Sequence, residues 1–161
     1  MPTTNDLLVH SLTTARLMAR RFTEDLQPSE YLHRPAPKAN CAAWLLGHLT
    51  LSNRRTAARL NVDLPALPDG FEQRFGRDEN APHANEFGEC SNLLPMLEQS
   101  FDALIAAVKR ATPEQLATPV EKPMPMFKNL GELANFMALH ACVHIGQITM
   151  IRRSLGRPPL V

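Results

Sequence analysis

Apolar positions recur at intervals of three and four residues in four stretches of the chain, residues 4–26, 40–61, 91–110 and 130–155. That spacing puts one side chain per turn on a common face, so it predicts amphipathic helices rather than the alternation of strands. In the first stretch Leu8, Leu12, Ala15, Ala19, Phe22 and Leu26 share a face, and Arg16, Arg20 and Glu24 take another. The second aligns Cys41, Leu45, His48, Ser52 and Thr56, with Trp44 and Leu49 on its shoulders. The third offers Leu94, Leu97, Phe101, Leu104, Ile105 and Val108. Pro95 falls inside it, which predicts a later start or an irregular first turn. The fourth gives Leu133, Phe136, Met137, His140, His144, Gln147, Ile148, Ile151 and Leu155. Asn129 and Glu132 form a capping-box pattern at its start, and Gly156 with Pro158 marks its end.

Most of the fourteen prolines fall between these stretches, where they separate helices by removing an amide donor and obstructing the preceding turn. Four helices of similar length, with no strand expected, predict an all-α fold. The expected architecture is a single four-helix-bundle domain over residues 1–161. The connection between helices two and three, residues 62–90, is long enough to cover a site or fold into a short extra helix. Phe71, Phe75 and Phe87 are its candidate anchors.

Composition narrows the class. Lys+Arg 17 against Asp+Glu 16 leaves no basic footprint for a nucleic acid or an anionic membrane surface. No apolar run approaches the ~18 residues of a membrane span, and the N-terminal stretch lacks the pattern of a secretory signal. Cys41, Cys90 and Cys142 are odd in number and widely spaced. They suit reduced thiols, so a cytoplasmic location is expected.

The candidate chemistry lies in "MALHACVHIGQ". His140 and His144 are four apart and project from one helix face about 6 Å apart, close enough to share a metal ion. Ala141 stands where a zincin would carry its glutamate, so that protease chemistry has no base here. An isolated HxxxH pair can equally be two polar residues at a helix surface or a dimer seam. This pair, however, sits on the apolar stripe, where a buried imidazole needs partners for both nitrogens. His48 is also on the inward side of its helix, and Gly47 beside it would admit a close neighbour or ligand. Brought together, the three would leave a fourth coordination position open.

The "WLLGHL" of the second helix and the "HxxxHxGQIxxxRRxLGxP" pattern of the fourth resemble the DinB-like superfamily across essentially the whole chain. The resemblance implies an up-down-down-up four-helix bundle, commonly a homodimer. It implies a divalent metal held at the positions of His48, His140 and His144. It also implies an activity of the thiol S-transferase or thiol-dependent isomerase type in some members. Many members carry an acid directly after the first histidine of helix four, where this chain has Ala141. Zinc and nickel are the first candidates for the ion, and iron and copper suit imidazole as well.

Gln147 is expected to orient a ligand histidine. Trp44 and Cys41 are expected near the pocket. Arg152 and Arg153 would either grip an anion or complement the helix dipole. Cys142 should be turned from the histidine face and buried. His10, His33 and His83 should face solvent; of these only His83, in the long loop, could instead swing over the site. No catalytic residue is assigned. Three readings follow. In the first, an enzyme uses a low-molecular-weight thiol and a small electrophile. In the second, a non-catalytic metal-binding bundle ties two helices together. In the third, the histidines merely hydrogen-bond in the core of a dimeric bundle.

Overall fold

The computed structural model describes residues 1–76, 87, 89–158 and 160. It is mostly helical. Four long helices correspond to the four periodic stretches: α1 (Thr4–Thr23), α2 (Ala42–Arg59), α4 (Leu93–Arg110) and α6 (Leu130–Ser154). Shorter elements fill the connections: 3₁₀ turns at Pro28–Leu32 and Cys90–Asn92, and the helices α3 (Phe71–Phe75) and α5 (Pro113–Ala117).

The helix ends follow local chemistry. Thr3 caps α1 in a reciprocal box with Asp6. Asn129 caps α6 by accepting from the Glu132 amide at 2.9 Å. The returning Glu132 carboxylate accepts from the Lys128 amide at 2.6 Å, one residue before the cap. At the other end Gly156 adopts φ +74°, which only glycine takes readily. Arg157 N–H then bonds the Arg152 carbonyl and Gly156 N–H the Arg153 carbonyl, closing a Schellman motif. Pro95 falls in the first turn of α4, where a missing amide breaks no helical bond, and the Cys90–Asn92 turn leads into it.

The expectation of no strand is corrected. Pro119–Met124 and Phe127–Asn129 form an antiparallel two-stranded sheet, β1–β2, just before α6. A hairpin is all edge, so Pro119 and Pro123 can sit where no ladder donor is required. Val120 and Phe127 anchor it by burial.

Most of the predicted core positions are buried, Leu26 among them just beyond the end of α1, whereas Ser52, Leu94, Ile105, Phe136 and Leu155 are half-buried and Gln147 is exposed. α2 is buried more widely than its predicted stripe: Leu46, Gly47, Leu51 and Asn53 are also enclosed, because α4, α6 and α3 all pack on it. Cross-ties give helix directions. Asn5 at the start of α1 donates to the Val108 and Ala111 carbonyls at the end of α4, each at 2.8 Å. Arg16 and Arg20 pair with Asp102 and Glu98, so α1 and α4 run antiparallel. At the far end of α6, buried Arg152 reaches the Phe22 carbonyl at 3.2 Å and grips the Asp25 carboxylate with both terminal nitrogens. Arg157 adds pairs to Asp25 and Glu30.

Candidate metal centre

His48 comes from the middle of α2, and His140 and His144 come from successive turns of α6. The three imidazoles are 7%, 9% and 4% exposed. One ligating nitrogen from each lies within 4.8 Å of the others. Among the described residues, no other group of His, Cys, Asp and Glu side chains meets that condition. His140 Nε2 and His144 Nε2 are 2.9 Å apart. The His48 ring stands nearly perpendicular to both, with centroids 5.2 and 5.4 Å away.

At His48 and His144 the outer nitrogen meets an acceptor, which fixes the proton there. His48 Nδ1–H donates to the Phe75 backbone carbonyl at 3.1 Å. A carbonyl only accepts, so Nδ1 carries the proton and Nε2 is the acceptor nitrogen of His48. His144 Nδ1–H donates to Gln147 Oε1 at 3.0 Å, which makes its Nε2 the acceptor in the 2.9 Å contact with His140 Nε2. Lone pairs converging in a buried space repel unless a cation or proton lies between them. One proton can bridge two nitrogens, whereas three converging imidazoles suit a divalent ion. The donor set therefore could hold a metal ion, and imidazole nitrogens suit zinc, nickel, copper and iron alike.

Aromatic rings wall the cluster. Trp44, half-buried, lies flat on His48 and meets His144 edge-on. Phe136 stacks on His140 at 5.7 Å, and Phe127 of the hairpin packs on Phe136 at 5.2 Å. The hairpin that the sequence reading omitted thus supports one of the three rings.

The remaining candidates fall in varied places. Gln147 is exposed yet bonded to His144. Cys41 is the buried N-cap residue of α2, two turns before His48, close enough to Cys90 to influence it. Burial, followed by Cys41, pushes the Cys90 thiol up from its ordinary value. Cys142 does turn from the histidine face, but it is exposed rather than buried, because that side of α6 has no described element over it. Arg152 is engaged by Asp25 instead of an anionic ligand, while Arg153 is exposed. His10 is exposed; His33 is only partly so and pairs with Ser154 Oγ at 2.8 Å. His83 lies outside the described residues.

Sequence reasoning missed the Phe75 carbonyl, since a backbone atom carries no residue signature. The available signal was Phe71 and Phe75, spaced one helical turn apart in "FEQRF". Both are buried, and their rings touch at 4.4 Å.

The sequence model of the DinB superfamily matches residues 11–148. No curated protein matches the chain. A crystal structure of a conserved protein from Enterococcus faecalis superposes with a TM-score of 0.66 at 17% identity, covering 98% of this chain and 100% of the other. At that identity the likeness concerns the fold.

Proposed function

The chain belongs to the DinB superfamily, and from that premise we propose that it is a divalent-metal-binding protein whose centre, held by His48, His140 and His144, serves a thiol S-transferase reaction on a small electrophile. The observation that carries the metal is the buried convergence of three imidazole nitrogens, with two outer nitrogens already committed to acceptors. A bound divalent ion would supply Lewis acidity, lowering the pKa of a coordinated thiol so that thiolate is available at neutral pH. The protein's own residues do the rest. Gln147 and the Phe75 carbonyl hold two rings in the tautomer that offers Nε2. Trp44 and Phe136 restrict water and give an apolar wall to an uncharged electrophile. With Ala141 beside His140, no side-chain acid stands there as a proton acceptor, which favours a reaction needing only a thiolate.

The proposed architecture is the up-down-down-up bundle, supported by the antiparallel ties of α1 to α4 and by the shared end of α1 and α6 at Asp25 and Arg152. We also propose a homodimer. Leu139, Val143 and Met150 on α6 and Leu7 and Leu17 on α1 are large apolar side chains left exposed on helices that pack side by side.

Elemental analysis of untagged protein, beside His140→Ala, tests the centre. Near-stoichiometric metal in the first and none in the second is expected; metal in neither, after incubation with zinc or nickel, removes the proposal. Activity is tested with glutathione, bacillithiol or mycothiol and monochlorobimane. A rate no higher than that of metal-stripped protein for every thiol leaves the non-catalytic reading, in which the ion ties α2 to α6.

A further inference from the structure

Gly47 precedes His48 on α2, and the ring of Phe75 occupies the place where a side chain at position 47 would stand. A Cβ built there would lie within 2.5 Å of the Phe75 Cγ, Cδ1 and Cε1 atoms, far inside any ordinary contact. Phe75 is fully buried, stacked at 5.4 Å on Phe87 and tilted against Phe71. The same residue's carbonyl accepts from His48 Nδ1. Ring seat and carbonyl partner are thus adjacent residues on α2, one turn or less apart, engaged by a single residue of α3.

We propose that α3 is a positioning element of the metal centre and that Gly47 is the residue that admits it: the ring of Phe75 in the Gly47 notch sets the Phe75 carbonyl against His48 and fixes the ring that ligates. The inference rests on the metal-binding reading above. A carbonyl that holds the outer nitrogen selects the tautomer, raises the basicity of the inner one and fixes ring orientation; losing such a partner typically weakens metal affinity by about 10- to 100-fold. Alanine at position 47 would by helix propensity favour α2, so a loss there comes from displacing Phe75.

The test is zinc affinity by competition with a chromophoric chelator for wild type, Gly47→Ala, Phe75→Ala and the double variant. Each is paired with a melting curve of the metal-free form and imidazole ¹⁵N spectra of His48. About tenfold or greater weakening in Gly47→Ala is expected, with loss of the Nδ1–H tautomer at His48. The double variant should bind no worse than Phe75→Ala alone, because the added methyl enters space the ring has vacated. Affinity within twofold of wild type in Gly47→Ala, accompanied only by a lower melting temperature, overturns the inference and leaves a packing role. If Gly47→Ala does not fold, Phe75→Ala against wild type decides by the same criterion. A wild type that binds no zinc overturns the centre and this inference together, a result distinguishable from equal binding by all four proteins.

Discussion

The indole of Trp44 lies flat on the imidazole of His48, with ring centroids 4.6 Å apart and planes 7° from parallel. Because the chain has one tryptophan, its emission reports on one candidate ligand. Titration with nickel or copper is expected to quench Trp44 in a stoichiometric, saturable way. In His48→Ala the saturable quenching should vanish. Binding that leaves the wild-type emission unchanged, measured in parallel by dialysis, would separate the bound ion from this ring.

Gln147 is exposed, so its replacement removes little packing, yet its Oε1 accepts from His144 Nδ1 at 3.0 Å. Gln147→Leu keeps the size and deletes the acceptor. Metal affinity is expected to fall by about 10- to 100-fold, with the metal-free melting temperature little changed. Chelator competition checks the first, calorimetry the second. Unchanged affinity would reduce Gln147 to a surface residue.

Arg152 is 3% exposed, and its pairing with Asp25 holds the Asp25 carboxyl below its ordinary value. A folded-state pKa that is depressed means fewer bound protons folded than unfolded in mild acid. The stabilisation is therefore complete above the unfolded value of about 3.9 and is lost as pH falls through the folded one. Asp25→Asn leaves a buried guanidinium short of its counter-charge, discounted because Asp25 is itself half exposed; about 1–3 kcal/mol of destabilisation is expected near neutrality. Urea melts from pH 7 down to pH 3 should show that gap narrowing below about pH 4. A gap that stays constant with pH would assign the effect to hydrogen bonding alone.

The exposed apolar side chains of α1 and α6 bear on assembly. Val143 is 62% exposed and Leu139 57%. Light scattering of the 17.9 kDa chain should give a dimer, and Val143→Arg should shift it toward monomer with its secondary structure retained. A wild-type monomer at all concentrations tested would leave this face without a self-partner.

The four long helices and the two ends of α6 were legible because periodicity, Asn129 and Gly156 act within a turn or two of where they stand. His48, His140 and His144 were legible as candidates for a related reason: a titratable ring on an apolar stripe needs a partner, whichever one the fold supplies. The β1–β2 hairpin was hidden because its prolines count against strands everywhere except at an edge, and being an edge is a property of the finished sheet. Cys142 was placed on the correct side of α6, but its exposure depends on what packs there, and nothing local encodes that. Sequence alone thus determined the helices, their inward faces and the ring types available for a metal. Tertiary structure decided which nitrogen His48 presents. It brought the Phe75 carbonyl, 27 residues away, to His48, and Phe127, by way of Phe136, to the support of His140. Proton position and ring orientation are set by partners that meet only across space, and a linear pattern holds no record of that meeting.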